Sequence, residues 1–160
     1  MDSQSVKTVQ SGSQQGYDAG KKTKGRKRHI AVDTLGLLLV IVVHAASIQD
    51  RVGAKAVLIK LFRYFGGIKT VFVDGGYSGK LLDWGMQMFG WLVSVVKRTE
   101  AHTFKIVPKR WIVERTFGWM NWNRRLSKDY EKNPRHSEAM VYVAMIHMMA
   151  KRLAIKKSIN

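Results

Sequence analysis

The chain has 160 residues, of which 28 are Lys or Arg and 11 are Asp or Glu, so its formal net charge is +17. Hydrophobic residues make up 46% of the sequence, enough to build one folded domain, which excludes a wholly disordered basic tail. The chain contains no cysteine, which excludes a disulfide scaffold, a cysteine nucleophile and a zinc site built on cysteine. A chain this cationic is expected to bind a polyanion, and nucleic acid is the usual partner.

The sequence predicts neither a membrane span nor a signal peptide. The longest apolar run, residues 35–46, is shorter than the roughly 20 residues that cross a bilayer. The first four residues, Met1–Gln4, contain neither a basic nor an apolar stretch. We therefore expect a cytoplasmic protein without a membrane partner.

The first half of the chain is expected to begin with a loop and continue with a hairpin and a helix. Residues 3–28 are polar and end in a basic run, 21–29, which predicts a loop. Two β-branched segments, 30–33 and 37–45, flank a short turn and predict a β-hairpin. Apolar residues recur with a 3.6-residue period over 51–65, which predicts an amphipathic helix.

The second half alternates short apolar runs with amphipathic segments. It predicts strands at 68–73 and 91–96 and helices at 78–89, 111–126 and 134–153, with a loop at 99–109. Strands that alternate with helices favour an α/β fold with a mixed sheet.

Asp74 follows the predicted strand 68–73 and precedes Gly75 and Gly76. Active sites of open α/β sheets form at the carboxyl ends of strands, and the glycines would let the backbone turn and a ligand approach. The alternative is that Asp74 only begins a turn, since Asp-Gly is a common turn pair.

Glu114 is the acidic member of a helical stripe that is otherwise cationic or polar. At 100° per residue, the stripe also contains Arg110, Gly118, Asn121, Arg125 and Lys128. It is either a solvated face with ion pairs or an acid that meets a metal while its neighbours hold phosphates. Trp119 and Trp122 could stack on a base, but their helical spacing favours a place in the core.

The other acids are expected to have structural roles. Asp33 suits the hairpin turn, with a role as a further catalytic acid as the alternative, and Asp50 suits the N-cap of the next helix. Asp129 and Glu131 are expected at the surface. On composition alone, Asp2 is a disordered terminal residue.

Six segments, taken in order, resemble the DDE transposases of bacterial insertion sequences, in the group with the second motif Asp-Gly-Gly-Tyr-x-Gly. The segments are residues 2–8, 25–29, 73–79, 111–119, 123–131 and the start of the last helix at 138–140. The resemblance extends from Asp2 to about Leu153 and implies a ribonuclease-H-like fold, in which helices flank a mixed sheet.

The resemblance implies three catalytic acids, Asp2, Asp74 and Glu114. In the family the first acid lies on the first strand, the second at the end of the fourth strand and the glutamate on a later helix. An arginine four residues before the glutamate holds DNA, and Arg110 matches it. Asn121 stands where the family has a DNA-binding lysine.

A second departure from the family pattern is Val107, which replaces a tyrosine seven residues before the glutamate. Together with Asn121, this departure concerns the handling of a DNA hairpin or of the flanking strand and not the metal site.

The implied activity is metal-dependent DNA strand cleavage and strand transfer during transposition. The three acids would hold two Mg²⁺ ions, for which Mn²⁺ could substitute, about 3.5–4 Å apart. One ion would activate water or a 3′-hydroxyl, and the other would stabilise the leaving oxygen. Since clustered carboxylates repel one another unless cations neutralise them, the site is expected to order on metal binding.

The implied partners are the ends of an insertion sequence and the target DNA, bound by a homo-oligomer in the bacterial nucleoid. The cations expected to contact phosphates are Lys24, Arg26, Lys27, Arg28, Arg110, Arg125 and Lys128.

Only Met1 precedes Asp2, where the family has an apolar strand and a DNA-binding region. We expect a catalytic domain at 1–153 with its first strand largely missing, followed by a basic tail at 154–160. The chain would be either the downstream part of a two-frame transposase, completed by an upstream-frame product, or a truncated copy. The alternative is a catalytically inactive DNA-binding remnant.

Overall fold

The computed structural model describes residues 1–9, 14–77, 79–96 and 108–158. In these ranges the strands are β1 (Asp2–Lys7), β2 (Gly16–Asp18), β3 (Thr23–Val32), β4 (Leu38–Ala45), β5 (Thr70–Asp74) and β6 (Leu92–Val96). The helices are α1 (Asp50–Tyr64), α2 (Lys80–Phe89), α3 (Pro108–Trp122) and α4 (Pro134–Ser158), with 3₁₀ turns at Gly75–Tyr77 and Arg124–Leu126. The predicted hairpin and the alternation of strands and helices are confirmed.

The expectation of a loop over residues 3–28 is wrong, because three strands cover most of this segment. β3 pairs antiparallel with β1, β2 and β4, and Asp2 of β1 lies opposite Ile30. Most of the basic run therefore lies on β3, inside a sheet. Three of its side chains, those of Arg26, Lys27 and Arg28, have partners within the fold, which side-chain hydropathy does not reveal.

A second sheet contains β5 and β6, which are parallel, with Thr70 opposite Leu92 and Asp74 opposite Val96. The Met1 amino group donates a hydrogen bond to the Phe72 carbonyl oxygen at 2.7 Å. The start of β1 therefore lies beside β5. A strand is present from Asp2 onward, although the resemblance led us to expect the first strand to be largely missing.

The β3–β4 hairpin is buried on both faces, as the apolar sequence of its second strand predicts. One face packs on α1 and the β5–α2–β6 unit, through a core that includes Ala31, Val40 and Leu58. The other face packs on α3 and α4, through Ile30, Ile41 and their neighbours. The helices therefore flank the hairpin on both sides, and the mixed α/β architecture is confirmed.

The apolar face of α3 that the sequence predicts is confirmed, because Val113, Phe117 and Met120 are all in the core. Asp33 has its expected turn role, since its carboxylate accepts from the backbone N–H groups of Leu35 and Leu37. α4 continues to Ser158, past the predicted start of the basic tail.

Among the described helices, none combines the length and apolar character that a bilayer crossing requires. The predicted loop at 99–109 overlaps residues 97–107, which lie outside the described ranges.

Candidate active site

Asp74 ends β5, and the chain turns at once into the 3₁₀ turn Gly75–Tyr77. The Gly75 N–H donates to Asp74 Oδ1 at 2.6 Å, and a Cβ at Gly75 or Gly76 would meet nothing within 4 Å. The loop after the acid is therefore open on its outer side. Its inner side is anchored by buried Tyr77, whose hydroxyl lies 3.2 Å from His29 Nδ1.

The Tyr77–His29 pair is a feature that we did not predict, although Tyr77 belongs to the quoted Asp-Gly-Gly-Tyr motif. Burial lowers the pKa of His29 to about 3, and it raises the pKa of the Tyr77 hydroxyl. The histidine is therefore neutral near pH 7, and the tyrosine hydroxyl keeps its proton to donate. An aromatic residue three positions after a strand-end acid was the signal for this anchor.

Asp2 is the first residue of β1, which corrects the expectation from composition that it is disordered. Asp2 and Asp74 line the same small cavity, together with Arg110 and Val113 of α3. Burial raises the pKa of the Asp2 carboxyl; a hydrogen bond from the Ser3 backbone lowers it, and the charge of Asp74 raises it further. The two acids therefore lie close enough to repel each other.

Glu114 joins this group through Arg110, which lies one turn earlier on α3. Arg110 Nε donates to Glu114 Oε1 at 2.8 Å, and Arg110 Nη1 lies 3.3 Å from Asp74 Oδ1. Burial lowers the pKa of Arg110, but the Glu114 hydrogen bond and the charges of Asp74, Glu114 and Asp2 raise it overall. The carboxylates of Asp74 and Glu114 thus pair with one guanidinium, and Asp2 lines the same cavity as this arginine.

The donor set fits magnesium in its chemistry, because the convergent side chains offer carboxylate oxygens around one positive charge. In the described part of the chain, however, no three His, Asp or Glu side chains are arranged so that they could hold a metal ion. The arginine occupies the space between Asp74 and Glu114 instead.

Three of the seven predicted DNA-binding cations are buried, which corrects that prediction for them. Arg26 is 1% exposed; its Nη1 lies 3.3 Å from Asp129 Oδ2 and donates to the Glu131 carbonyl at 2.7 Å and to Ser137 Oγ at 3.1 Å. Asp129 itself is buried, so its expected place at the surface is wrong. These groups have internal partners and are not available to a phosphate.

Arg28 and Lys27 are also committed to the fold. Arg28 is 1% exposed and donates to the backbone carbonyls of Leu126 and Lys128. Lys27 Nζ lies 2.9 Å from Asp50 Oδ1 and also pairs with Asp18. Asp50 makes no helix cap, and its carboxylate binds this lysine instead.

The remaining predicted cations reach the surface. Lys24 and Lys128 are exposed, and Arg110 is partly exposed. The Arg125 side chain is 52% exposed, pairs with Glu131 and lies over the Tyr130 ring. The segment after α3 therefore presents Arg125 and Lys128 to solvent.

The two tryptophans near the end of α3 differ in environment. Trp122 is 84% exposed, so its predicted place in the core is wrong. Trp119 is half-buried, with the guanidinium of Arg115 4.7 Å and that of Arg152 3.8 Å from its ring centre. At the departure from the family pattern, Asn121 Oδ1 accepts from the Gln4 side chain at 3.3 Å. Val107, the other departure, lies outside the described residues.

The family model described as "Transposase DDE domain" matches residues 1–149. The chain belongs to this family. A putative transposase for insertion sequence element IS402 from Burkholderia cepacia is 28% identical over 116 residues, which cover 68% of this chain and 54% of the relative. The chain therefore spans about half the length of this curated relative. No solved structure matches it significantly. The resemblance to insertion-sequence DDE transposases is confirmed.

Proposed function

We propose that this chain is the catalytic domain of an insertion-sequence transposase, with a ribonuclease-H-like fold, and that it cleaves DNA strands and joins them to a target. The observation that carries the proposal is that Asp74 and Glu114 both pair with Arg110, beside a cavity that Asp2 also lines. The three acids come from separate elements, β1, β5 and α3.

Asp2, Asp74 and Glu114 would hold two Mg²⁺ ions, or Mn²⁺ in their place. Such ions would supply activation of the attacking hydroxyl and neutralisation of the leaving oxygen of a phosphodiester. These ligands would come from β1, from β5 and from the first half of α3. The Tyr77–His29 contact would hold the turn that follows Asp74, next to the cavity that this carboxylate lines.

DNA would lie across the surface that carries the exposed cations. Lys128 and Arg125 follow α3, Arg110 lies at its start, and Lys24 extends from β3. Phosphate contacts from such side chains give affinity without sequence preference and make binding depend steeply on salt.

The test is Mg²⁺-dependent nicking of a duplex that carries the ends of the element, with the full chain and with Glu114→Gln. The substitution removes one carboxylate charge and keeps the side-chain volume, so we expect cutting to fall at least about 100-fold while DNA binding persists. Asp83→Asn, a change at a carboxylate on α2 outside the acid cluster, is the matched control and should cut like wild type.

If Glu114→Gln cuts DNA as fast as wild type, the assignment of this acid is wrong. If wild type binds DNA and never cuts it with Mg²⁺ or Mn²⁺, the chain behaves as a non-catalytic DNA-binding protein under these conditions.

A further inference from the structure

Arg110 occupies the position between the acids that a bound cation would need. Its Nε is 2.8 Å from Glu114 and its Nη1 is 3.3 Å from Asp74, and its side chain is 26% exposed. The guanidinium therefore has two carboxylate partners on one side and contact with solvent on the other.

The neighbouring cation, Lys109, is engaged differently. Its ammonium lies 3.7 Å from the centre of the Phe72 ring, and it lines the same cavity as Asp2 and Asp74. In the described part of the chain it forms no ion pair with a carboxylate. Lys109 thus carries the same charge as Arg110 beside the same cavity, but it does not pair with the carboxylate oxygens of Asp74 or Glu114.

A guanidinium and a divalent ion compete for the same oxygens, because each requires the lone pairs of Asp74 and Glu114. A DNA phosphate offers Arg110 an alternative partner, since arginine binds phosphates in a two-pronged geometry like the one it uses for carboxylates. The long side chain can reach either partner from a fixed Cα on α3.

We propose that Arg110 is a resident counter-ion which holds Asp74 and Glu114 together without metal and transfers to a DNA phosphate when DNA binds. Divalent metal binding and DNA binding are thereby coupled through one side chain. This inference rests on the proposed function, because it takes the acids to be metal ligands.

Coupling of this kind is reciprocal. If DNA removes Arg110 from the acids and so tightens metal binding, then metal must tighten DNA binding by the same factor. Removing the guanidinium should tighten metal binding in the absence of DNA and abolish this part of the coupling.

The first experiment titrates Mn²⁺ into the full chain at pH 7 without DNA, by isothermal calorimetry. It compares wild type with Arg110→Gln, Arg110→Lys and Lys109→Gln. We expect Arg110→Gln to bind Mn²⁺ about five-fold more tightly or better, within the usual range of coupling between sites. The Mn²⁺ affinity of Arg110→Lys should lie between those of wild type and Arg110→Gln. Lys109→Gln should change the affinity less than two-fold, by about 0.4 kcal/mol at most. Circular dichroism checks that each variant is folded.

The second experiment measures binding of a fluorescent 20-base-pair duplex by anisotropy, with Ca²⁺ or with K⁺ at equal ionic strength. Wild type and Lys109→Gln should bind DNA more tightly with Ca²⁺. Arg110→Gln should bind DNA more weakly than wild type and lose most of the Ca²⁺ effect.

The outcomes separate the two proposals. If wild type binds Mn²⁺ and Arg110→Gln binds it equally well or more weakly, the counter-ion inference is overturned and the metal site stands. If Arg110→Gln and Lys109→Gln tighten Mn²⁺ binding equally, the effect comes from the loss of any nearby positive charge, and the inference fails. If neither wild type nor Arg110→Gln binds Mn²⁺, the proposed metal site fails and the inference fails with it. Binding by Arg110→Gln alone supports the inference.

Discussion

Two basic regions that look alike in sequence have opposite environments in the fold. In β3, Arg26, Lys27 and Arg28 are at most 5% exposed, whereas Arg125 and Lys128 after α3 are exposed. The difference is the supply of acceptors. The first region meets carboxylates and backbone carbonyls inside the fold, and the second faces solvent.

The two regions are also connected. Arg28 donates to the carbonyls of Leu126 and Lys128, and Arg26 donates to those of Glu131 and Lys132. These carbonyls belong to the segment that displays the exposed cations. The buried arginines therefore shape the surface on which we propose DNA to lie, and a basic run can serve nucleic-acid binding without touching it.

Replacing a buried arginine is expected to change the free energy of unfolding more than any other substitution in either basic region. Arg26→Met leaves the Asp129 carboxylate buried without its guanidinium partner, which typically costs about 3–5 kcal/mol. That is a large part of the roughly 5–15 kcal/mol that stabilises a domain. Urea unfolding followed by tryptophan fluorescence measures the loss.

The matched control is Arg125→Met, which removes an exposed cation paired with Glu131 and should cost less than about 1 kcal/mol. Equal losses in Arg26→Met and Arg125→Met would show that burial does not distinguish the two regions.

Alanine substitutions at two glycines, Gly25 in β3 and Gly118 in α3, are expected to have smaller effects on stability and of opposite sign. A Cβ at Gly25 in β3 would collide with the Val6 carbonyl oxygen and lie 2.9 Å from the Thr8 nitrogen, and its φ is +156°. Because backbone atoms cannot give way cheaply, Gly25→Ala should destabilise by about 1–3 kcal/mol. Gly118 lies in α3, where a Cβ meets nothing within 4 Å. Gly118→Ala should therefore stabilise by about 0.5–1 kcal/mol, since alanine favours a helix.

Thermal unfolding of the two glycine variants gives the sign of each effect. A stabilising Gly25→Ala would contradict the tight pairing of β1 with β3, and a destabilising Gly118→Ala would contradict the open environment on α3.

The sequence predicts those elements whose secondary structure is determined by residues close together in the chain. Periodicity located α1 and the buried face of α3, and the strand-end position of Asp74 followed from one apolar run and two glycines. The buried basic strand could not be predicted, because the partners of Arg26 lie 103 and 111 residues further along the chain, at Asp129 and Ser137. The exposure of Trp122 was missed because α3 ends at this residue, where helical spacing no longer determines burial.

The smallest expected effect tests the exposed region alone. Lys128→Gln removes one proposed phosphate contact, so DNA binding should weaken a few-fold, and the slope of log K against log salt should fall by about 0.9. Fluorescence anisotropy over a series of KCl concentrations measures both. Lys55→Gln is the control, because Lys55 lies on α1 with its ammonium 5.2 Å from the Trp84 ring centre. If both variants lower the slope equally, DNA binding depends on the net charge of +17 and not on particular exposed cations. The contrast between the two basic regions would then concern stability only.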